Sequence, residues 1–462
     1  MSEWVPNVVR GSGPLYLAIA DALETDIASG VLRDGFRLPA QRALAGILKI
    51  DFTTVSRAYS EAQRRGLVEG KVGQGTYVKG KPQDSVEASK PRTSGIVDMA
   101  MNLPPRFNDQ ILESKMWAAV AGLEKSGGID LILRYQEVGG TVEDRAAGAG
   151  WLSDRLPDLT PDRVILVPGA QAALLAITTM LLSQDSVIAV ERFTYPGLKA
   201  IATHMSRQLA PVEMDDFGII PDSFAEVCRK QAPTLLYCTP TLQNPTTATL
   251  PLDRRHAIIE IAREHNVIIL EDDAYGKLSN DPLPPIAALA PDITFHVAGL
   301  SKCLSPALRI AYVVPPSPRA TSRLISTTRA MTSIASPVGA AIATSWITQG
   351  LANEALQAIR AETEARRTIA EELLAPLGLR SAMNAFHSWL PLPHGWTRGE
   401  FSTRLRNVGI GVVTSDAFAA STPIEAVRLG FGPPADHAQF RVSIKAIADI
   451  VGESPDLTSL VV

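Results

Sequence analysis

Residues 80–96, GKPQDSVEASKPRTSGI, are polar, rich in Pro, Ser and Lys, and carry no hydrophobic periodicity. A segment of that composition cannot bury enough apolar surface to fold and reads as a linker. It divides the chain into stretches with different patterning, so the expected architecture is multi-domain, with one unit over 1–79 and a larger one over 97–462. A length of 462 residues also exceeds what one ordinary core covers. As a flexible coil the linker spans on the order of 20–25 Å, a short tether.

The shorter stretch reads as three helices and a hairpin. Leu15, Ile19, Leu23 and Ile27 recur every four residues across Pro14–Ser29, the mark of an amphipathic helix. Pro39 opens a second helix where a missing amide costs least. Asp51 caps a third over Thr53–Arg65, accepting amides of its first turn, and Gly66 ends it. LVEGKVGQGTYVKG then reads as two short strands about a Gly-Gln-Gly tip. Three helices and a wing make a winged helix-turn-helix, whose third helix enters the major groove of a double-stranded DNA operator. Arg42, Lys49, Arg57, Arg64, Arg65 and Lys71 fall where phosphates would lie, although such charges also occur on ordinary solvated faces. The whole chain carries a net charge of −4, while residues 1–80 hold ten Lys/Arg against eight Asp/Glu, so any DNA contact must rest on a local patch.

The run RLPAQRALAGILKIDFTTVSRAYSEAQRRGLVEGKVGQGTYV resembles the GntR-family winged helix along its length. Pro39-Ala40-Gln41-Arg42 and Thr54-Val55-Ser56-Arg57-Ala58-Tyr59 are the matching elements. The resemblance implies phosphate or guanine contacts from Arg42 and Arg57. It also places Thr53 and Thr54 at the DNA-facing start of the third helix and Gln74 at the wing tip. The family's frequent Ser-Arg before that helix is Asp51-Phe52 here, which removes a base-reading cation.

From Asp98 onward, apolar runs alternate with helical segments, the pattern of an α/β fold with a mainly parallel sheet. Strands are expected at Arg163–Val167, Ser186–Val190, Thr234–Cys238, Val267–Leu270 and Thr294–Ala298. In such sheets ligands bind beyond the carboxyl ends of the strands. Asn244-Pro245, Asp272, Tyr275, Ser301-Lys302 and Arg309 all follow strands, and Gly169-Ala170-Gln171 joins a strand to a helix whose free amides suit an anion. Taken singly, Asp272 is as readily a helix cap, Asn244-Pro245 a turn and Lys302 a surface lysine. Together they match the needs of pyridoxal 5′-phosphate: an amine for its aldehyde, an anion for its ring nitrogen, donors for its phenolic oxygen and an amide nest with a cation for its phosphate.

Their order closely resembles the fold-type I aminotransferases, over nearly all of 98–450, with a smaller C-terminal α+β subdomain to follow the main sheet. That resemblance implies Lys302 as the Schiff-base lysine and Asp272 as partner of the ring nitrogen. Asn244 and Tyr275 are then donors to the phenolic oxygen, and Tyr195 packs on the ring. Ala170, Gln171, Ser301 and Arg309 surround the phosphate, and Tyr135 reaches the phosphate of a neighbouring subunit. It further implies that Arg441, in FRVSI, clamps a carboxylate. Gly299 stands where the family usually has a first serine, so one phosphate donor is absent.

A GntR winged helix joined to this fold is the arrangement of MocR-type regulators. The resemblance implies a head-to-tail homodimer in which an amino-compound effector forms an external aldimine in place of Lys302 and shifts DNA affinity. Two alternatives stay open: a working aminotransferase on an amino acid, and a sensor of the cofactor itself that controls vitamin B6 synthesis. Cys228, Cys238 and Cys303 lack the spacing of a zinc site, and no metal is expected. No secretory leader or membrane span is evident, so a cytoplasmic location is expected.

Overall fold

The computed structural model describes residues 4–6, 14–29, 31–32, 35–65, 67–71, 75–78, 97–280 and 283–453. The expected linker, Gln74 and the side chain of Lys71 lie outside the described residues. The chain folds as two units, 1–94 and 95–462.

The first unit holds α1 (Leu15–Ala28), α2 (Gln41–Leu48), α3 (Phe52–Arg64), β1 (Val68–Lys71) and β2 (Gly75–Val78). The two strands pair antiparallel, Val68 opposite Val78 and Lys71 opposite Gly75. Asp51 caps α3 as expected, its carboxylate accepting the Thr53 amide at 2.7 Å and the Thr53 hydroxyl at 2.5 Å. Lys49, at φ 52°, turns the chain between α2 and α3. Val55, Tyr59 and Ala62 pack with Leu23, Leu44 and Val78. The Tyr59 hydroxyl donates to the Pro39 carbonyl at 2.9 Å, tying α3 to the start of α2. Of the six cations expected near phosphates, Arg65 is committed elsewhere. Arg64 pairs with Glu61 at 2.6 Å, and Arg65 reaches Asp21 at 2.6 Å, Glu24 at 3.0 Å and Glu61 at 2.9 Å. Arg65 thus ties α3 to α1, while Arg64, Arg42, Lys49 and Arg57 remain exposed.

The second unit is built on a seven-stranded sheet. Its strands are β3 (Ile165–Val167), β4 (Val187–Glu191), β5 (Gln208–Val212), β6 (Leu235–Cys238), β7 (Ile268–Asp272), β8 (Thr294–Gly299) and β9 (Ala311–Val314), in the order β3-β9-β8-β7-β6-β4-β5. All pairs are parallel except those of β9, which runs antiparallel to β8 and β3. The central strands are buried on both faces, which is why they read as unbroken apolar runs. Helices α4 (Gln110–Gly127), α5 (Val142–Leu152), α6 (Ala170–Leu181) and α7 (Pro196–His204) precede β5, and α8 (Pro337–Thr348) and α9 (Leu351–Leu374) follow β9. The smaller subdomain is an antiparallel sheet β10-β12-β11, formed by β10 (His387–Pro391), β11 (Val413–Thr414) and β12 (Ala426–Gly430), with α10 (His437–Gly452). Among the described residues no helix is long and apolar enough to cross a membrane.

Residues 97–104 form a strap across the smaller subdomain. Val97–Asp98 pairs in parallel with Ile410–Gly411, and the Gly430 amide donates to the Met99 carbonyl at 2.8 Å. A Cβ on Gly430 would lie 2.5 Å from the Met101 carbonyl oxygen, and one on Gly432 2.0 Å from that of Leu103. Only glycine permits the strap to run so close.

The α5 helix makes a comparable approach to the main sheet. A Cβ on Gly148 would fall 2.5 Å from the ring of Tyr312, itself fully buried in β9. Gly148→Ala is expected to cost about 1–3 kcal/mol by overpacking, seen as a lower Tm of the second unit in calorimetry. An unchanged Tm would mean that the ring has room to move.

Candidate functional site

The turns at the carboxyl ends of the strands bring the expected residues together. Asp272 ends β7, Lys302 and Ser301 follow β8, Asn244 follows β6, Tyr195 follows β4 and caps α7, and Ala170 begins α6 after β3.

Asp272 is almost wholly buried. One of its oxygens accepts from the Tyr237 hydroxyl at 2.8 Å, while Oδ1 has no hydrogen-bond partner. Burial pushes its carboxyl up to about 6, against the opposing hydrogen bond from Tyr237. The charge of the next residue, Asp273, pushes in the same direction as burial. Against the cost of burial, Arg155 and His296 hold Asp273 well below the usual carboxylate range. Arg155 donates to Asp273 at 2.9 and 2.8 Å, and the His296 ring nitrogen lies 3.1 Å away.

Lys302 donates to the backbone carbonyl of Asn102 in the strap. Burial draws its amine down to about 8; the charge of Arg428 adds to the effect, and that of Asp272 opposes it. Near neutrality a minor fraction of this amine, about a tenth, is therefore unprotonated and nucleophilic, far more than for an ordinary lysine. The Asn102 side chain donates to the Tyr275 hydroxyl at 2.7 Å, which leaves the phenolic hydrogen free to donate elsewhere. Burial raises the Tyr275 phenol above its ordinary range.

The phosphate side is assembled from backbone. Gly169, at φ 88°, leads into α6 without a side-chain cap. A Cβ placed on it would lie 3.7 Å from the backbone of Arg309, which turns at φ 55°. Gln171 donates to the Gly197 carbonyl at 3.2 Å, and a Cβ on Gly197 would collide with Tyr195 and Gln171 at 2.3 and 2.4 Å. Gly299, in place of the family's serine, backs onto Ala170, with its virtual Cβ 3.3 Å from that methyl. Tyr135 is 90% exposed and, among the described residues, makes no hydrogen bond to the other site residues within one chain.

Arg441 is a correction. It lies on the outer face of α10, exposed, where its guanidinium is engaged by Glu372 at 3.1 and 3.0 Å. The arginine in the site is Arg428, in the middle of β12 and 5% exposed. Its Nη1 donates to Asn244 Oδ1 at 3.2 Å and its Nη2 to the Ala100 carbonyl, while Nε has no partner. The guanidinium stands 5.2 Å over the Phe418 ring. Burial opposes its charge, and Tyr275 and Tyr195 support it. The signal for Arg428 was present: it is the one charged residue inside the apolar run AVRLGF. Asn102, Ala100 and Tyr237 carried no such signal, since a backbone carbonyl or a buried strand tyrosine looks like any other.

Comparison with known proteins agrees with this geometry. Residues 95–447 match the aminotransferase class I and II profile, and residues 15–78 match that of the bacterial regulatory proteins of the gntR family. The chain therefore belongs to the aminotransferase class I and II family and, with its GntR helix-turn-helix, is a MocR-type transcriptional regulator. Similar proteins include the HTH-type transcriptional regulator YdeF of Bacillus subtilis, 28% identical over 94% of this chain and 93% of its own length. The pyridoxine biosynthesis regulator PdxR of Corynebacterium glutamicum is also 28% identical, over 76% and 77%. Among solved structures, kynurenine aminotransferase of Pyrococcus horikoshii superposes with a TM-score of 0.71 at 23% identity, covering 78% of this chain and 91% of that one. Thermus thermophilus LysN, an α-aminoadipate aminotransferase, gives 0.70 at 22%, covering 80% and 94%.

The family's cofactor is pyridoxal 5′-phosphate, and the donor set fits it. Asp272 Oδ1 is a buried acceptor without a partner, as a protonated ring nitrogen requires, and half-buried Lys302 offers an amine of lowered basicity.

The Asp272 shift has a consequence for the cofactor-free protein. A carboxyl that titrates near 6 when folded and near 3.8 when unfolded binds its proton more tightly in the folded state. The cost of its charge thus appears as pH rises from about 4 through about 6 and is constant above. Asp272→Asn should be close to neutral at pH 4 and stabilising by up to about 3 kcal/mol at pH 7.5, while weakening cofactor binding. Melting both cofactor-free proteins across that range checks this; a difference that does not grow with pH contradicts it.

Proposed function

We propose that this regulator holds pyridoxal 5′-phosphate at Lys302 and senses an effector bearing a primary amine and a carboxylate, with DNA binding by residues 1–79 as the output. When bound, the cofactor supplies an electrophilic aldehyde. Asp272 Oδ1 would accept the ring N–H. Tyr275 and the amide nitrogen of Asn244 would donate to the phenolic oxygen, because Asn244 Oδ1 already accepts from Arg428. Tyr195 would cover the ring. The first amides of α6, with Ala170, Gln171, Ser301 and Arg309, would hold the phosphate.

In place of Arg441, Arg428 is the group that meets the effector's carboxylate. Its free Nε and dry surroundings suit a charge-assisted pair. The observation that carries the sensing role is that Lys302 and Arg428 both donate to carbonyls of one strap, Asn102 and Ala100. A carboxylate bound there would compete with the Ala100 carbonyl for Arg428, and Lys302, once it holds the cofactor, would give up the Asn102 carbonyl. The strap begins at Val97, where the expected linker ends, so occupancy of the site is passed to the chain that leads to the DNA-binding unit.

Ile111, Trp117, Ile129, Ile132, Leu133, Tyr135 and Val142 are all at least 60% exposed. Apolar exposure on that scale supports a head-to-tail homodimer in which Tyr135 reaches the neighbour's phosphate. A DNA partner puts the protein's work in the cytoplasm.

The experiment is a spectral titration of the cofactor band with amino acids and their decarboxylated analogues, after borohydride reduction has located the cofactor on the Lys302 peptide. Arg428→Ala should lose about ten- to a hundredfold in response to amino acids, whereas Arg441→Ala should respond as the native chain does. Equal loss in both variants, or none in Arg428→Ala, would overturn the clamp. Steady turnover with a keto acid would favour the aminotransferase alternative, and DNA binding that responds to the cofactor alone would favour the vitamin sensor, to which the likeness to PdxR also points.

A further inference from the structure

We infer that Phe52 reads the 5-methyl group of a thymine in the major groove, and is a specificity-determining residue of the DNA-binding unit. The inference rests on the DNA-binding reading and adds to it what one position of the operator must contain.

Phe52 is the first residue of α3, and its ring is 42% exposed. The rotation of α3 is set by Val55, Ala58, Tyr59 and Ala62, all buried against the rest of the unit. The first turn is locked by the Asp51 cap, which engages both the amide and the hydroxyl of Thr53. The Thr53 hydroxyl therefore donates to the cap and not to a base. That leaves Phe52 as the large side chain displayed at the end of the helix that meets base edges.

Its surroundings are cationic. The Arg42 guanidinium lies 5.8 Å from the centre of the Phe52 ring. Phe52 and Arg42 share a shallow cleft with Arg37, Pro39 and the wing residues Gly75 and Thr76. A Cβ on Gly75 would meet Arg37 Nε at 3.1 Å, so the Arg37 side chain lies along the base of the wing. The surface thus presents an apolar ring framed by two guanidiniums.

That arrangement selects its target by chemistry. The cations meet phosphates on either side and carry no sequence information. A phenyl ring makes no hydrogen bond to a base edge, and among the major-groove edges of A, T, G and C only thymine offers a methyl group. With Arg42 stacked on one side of it, the ring is held in place to receive that methyl. Where an arginine at this position would ask for guanine, this chain asks for an A·T pair with the thymine on a defined strand.

The test uses the full chain and a duplex selected by it from a randomised DNA pool. Each thymine of the selected site is replaced in turn by deoxyuridine, which lacks only the methyl. One position per half-site should lose about fourfold in affinity, the expected effect of one buried methyl. Phe52→Ala should bind the thymine duplex about as weakly as the native chain binds the deoxyuridine one, and should lose nothing further on that replacement. Phe52→Leu should keep most of the discrimination. An unchanged salt slope in Phe52→Ala shows that the unit is folded and the phosphate contacts are intact. If no replacement weakens native binding, or if the loss persists in Phe52→Ala, the inference is overturned while DNA binding stands. Failure of the native chain to enrich any DNA would overturn both.

Discussion

Two basic side chains on different elements, half-buried Lys302 and buried Arg428, hold the strap across the site. Lys302 follows β8 of the main sheet and Arg428 belongs to β12 of the smaller subdomain, yet both donate to backbone carbonyls between Ala100 and Asn102. A charge removed from water needs a compensating acceptor, or its burial becomes prohibitive. The strap carbonyls fill that need, and Gly430 and Gly432 allow the strap close enough to do so. The same segment sends the Asn102 side chain to Tyr275. Position of the strap, charge state of the lysine and orientation of the tyrosine are therefore one coupled arrangement, and whatever replaces one contact disturbs the others.

Behind this layer the site is rigid. Asp272 stands at the buried end of its strand, with Tyr237 of the adjacent strand on one oxygen and the Arg155–Asp273–His296 cluster directly behind it. Glu271 points to the other face and accepts the amides of Ile286 and Ala287 at 2.9 and 2.8 Å. Three consecutive carboxylates thus have three separate environments, and only Asp272 keeps an unpaired oxygen. The division is typical of a site whose scaffold is fixed and whose ligand-facing contacts are exchangeable.

Much of this was legible in the residues. Apolar runs followed by Asp272, Asn244 and Lys302 marked strand ends because a parallel sheet buries its strands on both faces. The cap at Asp51 and the core face of α3 were likewise readable from local chemistry. Other features were not. β5 contains Pro211 and begins at an exposed Gln208, so it did not read as a strand; it lies at the sheet's edge, where a proline is tolerated. β9 is four residues long and runs against its neighbours, an orientation no local pattern encodes. Arg441, which the resemblance implies as the clamp, sits instead on a helix, paired with Glu372. Arg65 reads as a phosphate contact because its pairing with Asp21 and Glu24 on α1 is invisible until the helices are packed.

On the proposed function, ligand occupancy releases the strap that leads to the DNA-binding unit. Hydrogen exchange over residues 97–104 tests it most directly, comparing the protein loaded with pyridoxal 5′-phosphate alone and with N-phosphopyridoxyl-alanine, which carries both an occupied amine and a carboxylate. The Val97 amide, bonded to the Gly409 carbonyl at 2.7 Å, and the Gly430 amide, bonded to that of Met99 at 2.8 Å, are the reporters. Exchange at both should rise when the carboxylate is present, with the central strands unchanged. Equal protection in the two forms, alongside altered DNA affinity, would show that the signal travels by another route.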